Sequence, residues 1–176
     1  MKSLATVRTS LRPAIIAAGI GALGFAGAAA ALAAETLGGK IDNDMRRCAP
    51  GSGPAVRLDV TGLKSASGNL FVRTYRAKDS DWLKSRRYLH RIDTTPRKGN
   101  MTVCVPLPAA GDYAIVVQHD INGNYDKDFS IDGAGMSNNP EIRTFLGIPR
   151  PPALDKTRFR AGEGVTRIAI QMKYQD

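Results

Sequence analysis

The sequence predicts an all-β fold: an antiparallel β-sandwich of immunoglobulin-like or transthyretin-like type, with six to seven strands, preceded by a signal peptide. Three observations predict it. Apolar and polar residues alternate with a period of two in several short segments, Gly, Pro, Asn or Asp punctuates most of the gaps, and no stretch sustains the 3.6-residue period of a long helix.

The chain has 176 residues and begins with a leader. Lys2, Arg8 and Arg12 precede an uncharged run from Pro13 through Ala34, which closes on Ala31-Leu32-Ala33-Ala34 before Glu35. A basic start, an apolar run and small residues at the cut mark a secretory signal peptide over residues 1–33, cleaved after Ala33 or Ala34. The many Ala and Gly residues make the run a weak bilayer span, so no transmembrane anchor is expected after cleavage. The expected location is periplasmic or extracellular.

Residues 34–54 hold Gly38, Gly39, Pro50, Gly51, Gly53 and Pro54 and few large apolar side chains, as expected of an extended lead-in. The sandwich domain follows over residues 55–176. Val56, Leu58 and Val60 alternate with Arg57, Asp59 and Thr61, a half-buried strand. Gly62 and Gly68 bracket a turn, and Leu70 through Tyr75 make a second strand. Trp82 to Ile92 fits a short helix or an irregular strand equally well. Met101, Val103, Val105 and Leu107 alternate with Thr102, Cys104 and Pro106, which turns Cys104 away from the apolar side. Tyr113 through Val117 is apolar on both faces, as a central strand must be. Its Tyr follows Pro108-Ala-Ala-Gly111-Asp112, the setting of a tyrosine corner and hence a structural device. Arg158 to Arg160 is a short strand. In the last one Ile168, Ile170, Met172 and Tyr174 point inward, with Arg167, Gln171 and Lys173 outward.

Export makes a disulfide the default for the only two cysteines, Cys48 and Cys104. Two thiols are too few for a structural zinc site. The bond would strap the lead-in across the outside of the sheet.

The formal net charge is +9; the leader carries three basic residues and no acid, so the exported part keeps +6. The densest cationic stretch is Lys84, Arg86, Arg87 and Arg91, followed by Arg97 and Lys98, a candidate surface for an anionic envelope component such as lipopolysaccharide or an acidic glycan. It lacks interleaved aromatics, and no nucleic-acid partner is expected. No Gly-rich phosphate loop follows a strand and opens a helix.

One stretch carries candidate chemistry. Oxygen-bearing side chains recur at every second position in Asp120, Asn122, Asn124, Asp126, Asp128, Ser130 and Asp132. Calcium takes six to eight oxygen ligands, and alternating Asp and Asn in a tight loop can supply them. The match to a calcium loop is partial: Tyr125 stands where Gly is needed and Ile131 where a bidentate Glu belongs. A polar turn without metal is the competing reading, because Asn-Gly and Asp-Gly are ordinary turn formers. His119 is either a strand-end residue bonded to the loop or the base of a hydrolase using Asp120 or Asp128.

The run Leu107-Pro-Ala-Ala-Gly-Asp-Tyr-Ala-Ile-Val-Val-Gln-His-Asp120-Ile-Asn-Gly-Asn124, then Asp128, then Ser137-Asn138-Asn139, resembles domain-of-unknown-function family 2141. The likeness runs from Val56 to Tyr174. It departs from the family pattern at Tyr125, where members usually carry Gly, and at Lys127, where they carry an apolar residue. The resemblance implies a secreted bacterial β-sandwich and no particular reaction. The expected function is an exported, non-enzymatic protein with a calcium-ordered loop as a candidate feature. The alternatives are the anion-binding module and the His119 hydrolase.

Overall fold

A computed structural model describes residues 36–128, 130–146 and 148–175. The leader expected over residues 1–33 lies outside them. The lead-in and the β-rich region form one compact unit, Ala34–Asp176.

Twelve strands occur among the described residues: β1 Gly39–Ile41, β2 Ala55–Leu63, β3 Asn69–Arg76, β4 His90–Thr94, β5 Gly99–Pro106, β6 Gly111–Asp120, β7 Gly133–Met136, β8 Arg143–Phe145, β9 Ile148–Arg150, β10 Phe159–Ala161, β11 Val165–Gln171 and β12 Lys173–Tyr174. One helical turn, α1, spans Leu154–Thr157. The larger sheet runs β1-β4-β3-β6-β7-β12, with β10 also on β6; the smaller runs β11-β2-β5; β8 and β9 form a separate hairpin. All-β holds. The six or seven predicted strands become twelve because β1, β7, β8 and β9 have four residues or fewer, too short for alternation to register, and because the last predicted strand divides in two. Two pairings, β1 with β4 and β11 with β2, are parallel rather than antiparallel. Side-chain alternation is the same in both kinds of ladder, so it carries no sign of direction.

The two sheets meet face to face over one apolar core. Val56, Leu58 and Val60 of β2, Val103 and Val105 of β5, Leu70 and Val72 of β3, and Tyr113, Ile115 and Val117 of β6 are wholly buried in it. Ala114 and Val116 are buried too, so β6 is covered on both faces as expected of a central strand. The Tyr113 hydroxyl donates to the Ala109 carbonyl at 2.8 Å, closing the tyrosine corner.

The final predicted strand divides. β11 pairs with β2 in the smaller sheet, the chain crosses at Met172, and β12 joins β7 in the larger one. Gly135 permits the crossing: a Cβ there would lie 2.6 Å from Ile170 Cγ2. Trp82 to Leu89 is neither helix nor strand but a series of turns, with Leu83 and Arg86 at positive φ, and the strand β4 begins at His90.

The lead-in is more structured than expected. β1 extends the edge of the larger sheet, and a 3-10 turn, Met45–Cys48, follows. Cys48 is bonded to Cys104, with Cα atoms 5.7 Å apart, on the face of β5 away from the main core. The Asn43 side chain also accepts from the Cys104 amide at 2.9 Å. The strap therefore covers β5, an edge strand whose open amides would otherwise invite pairing with another chain.

Candidate functional site

The loop after β6 is folded by its own side chains. Asp120 is wholly buried; one carboxylate oxygen accepts from the Gly123 amide at 2.8 Å, the other from the Tyr125 amide at 3.1 Å and the Asn69 side chain at 3.2 Å. Asn122 and Asn124 each accept from the amide two residues on, forming successive Asx turns. Both also donate to Asp128, at 2.9 and 2.7 Å, and these bonds hold its carboxyl below the usual carboxylate range. Asp132 closes the loop by accepting from the Ile121 and Asp128 amides. The Asp126 side chain is exposed. Among the described residues no group of three or more His, Cys, Asp or Glu side chains is arranged to hold a metal ion.

Tyr125 adopts φ +66°, the left-handed conformation for which Gly is preferred. Its amide bond to Asp120 and its ring, 5.8 Å from that of Phe71, hold it there. The loop thus keeps the backbone turn that the substitution of Gly placed in question.

His119 has no exposed surface. Its Nε2 lies 3.0 Å from the Ser67 carbonyl, which can only accept, so Nε2 carries the proton. Nδ1 lies 2.7 Å from the Tyr174 hydroxyl, which in turn accepts from the Lys64 amide at 3.2 Å. Tyr174 lies over Gly133, where any Cβ would strike its ring. The Ser-Asn-Asn segment is equally structural. Ser137 Oγ accepts from the Ile115 amide and donates to the Thr157 carbonyl, while Asn139 accepts from the Gln171 amide and donates to the Ala169 carbonyl, stitching β7 to β11.

The concave feature lies elsewhere, on the outer face of the larger sheet. A groove of about 1040 Å³ has β3, β4, β6 and β7 as its floor, with the turns around Leu83–Tyr88 and the start of the β8–β9 hairpin as walls. Tyr75, Val116 and Met136 form a second apolar cluster under it, packed by Trp82, Leu83 and Tyr88. Across this floor Arg73 stands directly opposite Arg91 in the ladder. Arg91 is neutralised by Asp93, 2.6 Å away. Arg73 is half-buried, donates to the Gln118 side chain at 3.1 Å and lies 5.6 Å from the Phe71 ring, with no carboxylate within ion-pair distance among the described residues. Burial pushes its guanidinium pKa down, with the Arg91 charge a smaller cause in the same direction and Tyr75, Tyr88 and the Asp93 carboxylate acting weakly against it. Lys84, Arg86, Lys127 and Lys173 rim the groove, against Asp128 and Asp132 at one end.

Residues 58–169 match the model of a family described as an uncharacterised protein conserved in bacteria, DUF2141. The chain belongs to that family. No curated protein and no solved structure matches it.

Placed on this DUF2141 fold, the predicted site residues separate. The six oxygen-bearing residues Asp120, Asn122, Asn124, Asp126, Asp128 and Asp132 share one loop, and five of them bond within it. The six basic residues do not form one patch. Lys84, Arg86 and Arg91 line the groove, but Arg87 is tied to buried Asp81 at 2.6 Å, and Arg97 and Lys98 sit on the β4–β5 turn outside it. Sequence reading missed Arg73 and Gln118. The signal was faint: Arg73 occupies the polar phase of an alternating strand, a place where solvent-exposed arginines are common. The DUF2141 motif residues His119, Asp120, Ser137 and Asn139 are the ones that hold the sandwich and its loop together.

Proposed function

We propose that this DUF2141 protein is an exported, non-enzymatic β-sandwich that binds an anionic envelope component in the groove on the outer face of its larger sheet. Arg73 carries the reading. A half-buried guanidinium without a carboxylate partner is destabilised by lost hydration, and an anionic ligand would supply its counter-charge. The size of the groove suits a ligand larger than a simple ion. The leader and the disulfide support export, since such bonds persist in oxidising compartments. The bonded, buried state of His119 supports a role without catalysis.

Arg73→Gln should weaken retention on lipopolysaccharide or an acidic glycan at least ten-fold, on the order of a lost charge-assisted bond, measured by titration calorimetry. Arg97→Gln with Lys98→Gln, outside the groove, should leave affinity unchanged. Equal losses from the two variants would mean diffuse charge attraction and would sink the proposal.

Calcium is a second reading of the 120–132 loop, favoured by the meeting of Asn122, Asn124 and Asp128 at one point. A half-turn of the two amides would present oxygens there, at the expense of the two Asx-turn bonds. Binding to the native state must raise stability. Thermal unfolding in millimolar calcium should then give a higher Tm than in chelator, and an unchanged Tm leaves the loop self-bonded.

A further inference from the structure

We infer that the β8–β9 hairpin is a docking element that dips into an anionic phospholipid surface. Phe145, Leu146 and Ile148 are all large, apolar and more than half exposed, at 55%, 85% and 63%. Contiguous exposed apolar side chains at one tip need a partner surface. The ladder then sorts the hairpin by chemistry. Phe145 faces Ile148 across the strands next to the turn, and Arg143 faces Arg150 two residues further back. At the rise of a β-strand the backbone of the basic pair lies roughly 7 Å behind that of the apolar pair, and the long arginine side chains span that distance, Arg150 lying over the Phe145 ring. Such side chains can lay their stems along buried apolar groups while their cations stay among the headgroups.

Electrostatics selects the occupant. Two arginines directly opposite in a two-stranded ladder repel. The Arg150 guanidinium sits 4.5 Å from the Phe145 ring centroid, and among the described residues Arg143 has exposed Glu141 at 3.8 Å to offset it. A sheet of lipid phosphates would relieve that repulsion and attract an exported chain of net charge +6. Among the described residues the hairpin pairs with no other strand, so it can meet a surface without disturbing the core. This inference stands independently of the groove ligand.

Both native cysteines are in the disulfide, so a thiol-reactive, polarity-sensitive fluorophore on Leu146→Cys in the full chain reads the tip alone. Its emission should shift to the blue with vesicles of phosphatidylcholine and phosphatidylglycerol but not with phosphatidylcholine alone. Arg143→Gln and Arg150→Gln should each weaken the response about five-fold. The same label on Glu163→Cys, at the exposed β10–β11 turn, should stay in water. An unshifted label at position 146, an equal shift at position 163, or a shift that follows protein concentration without lipid each overturns the inference. The last outcome would assign the tip to contact between copies of the chain.

Discussion

Replacing Cys48 and Cys104 together by Ala should lower the unfolding free energy by about 4 kcal/mol, the chain-entropy value for a loop of this length. The residues are 56 apart in sequence, and the segment they close contains β2, β3, β4 and most of β5. The bond also anchors what the core does not. Between Asp42 and Gly53 no large apolar side chain is buried, and the other ties of this stretch to the sandwich include the Asn43 bond to the Cys104 amide. Without the disulfide the lead-in should detach, exposing the edge of β5. Denaturant unfolding with and without reductant measures the loss, and hydrogen exchange at the Cys104 amide measures the detachment. An unchanged denaturation midpoint in the double variant would show that the strap contributes nothing.

Asp120→Ala should destabilise the fold by about 3 kcal/mol, because bonds to an ionised group contribute more than neutral ones and their donors are left unpaired. The carboxylate anchors the loop at the Gly123 and Tyr125 amides and ties it to Asn69. The β2–β3 turn is joined to this strand end in two ways: Gly68, at φ +75°, packs so closely on the backbone carbonyls of Asp120 and Ile121 that no Cβ fits, and the adjacent Asn69 bonds the carboxylate. Loss of the carboxylate should therefore loosen two connections at once. Run in chelator, the experiment separates a structural anchor from a metal ligand. A loss that appears only in calcium would reverse the assignment and make Asp120 a ligand first. The left-handed Tyr125 should relax in this variant, and its ring contact with Phe71 offers a spectroscopic reporter.

The groove and the hairpin point the same way in chemistry while resting on different residues. Arg73 in the groove floor has no carboxylate within ion-pair distance among the described residues, and Arg143 and Arg150 flank an apolar tip; phosphate or carboxylate groups from outside the protein would complete both arrangements. Ile142, Thr144 and Pro151 at the base of the hairpin are also part of the groove wall. A docked hairpin would therefore bring the groove close to the surface from which an anionic envelope ligand comes.

By itself the sequence determined the all-β class, the family, the central position of Tyr113–Val117, the tyrosine corner and the Cys48–Cys104 bond. Each of these depends on local alternation, on a short motif or on there being only two cysteines, and such signals survive without coordinates. The tertiary structure alone decided strand direction, the crossing of the last strand between sheets, and which neighbours the buried polar side chains bond among the described residues. Alternation reports which face a residue occupies, not what lies opposite. So Arg73 looked like any solvent-facing arginine until the ladder set it against Arg91 and the 80s turns walled the groove around it. The Asp/Asn loop showed alternating oxygens in the sequence, and only the fold showed which of its own amides lie close enough to bond them. The two cysteines could be paired from the sequence because there was one way to pair them, whereas the loop oxygens had many partners to choose from and only the fold made the choice.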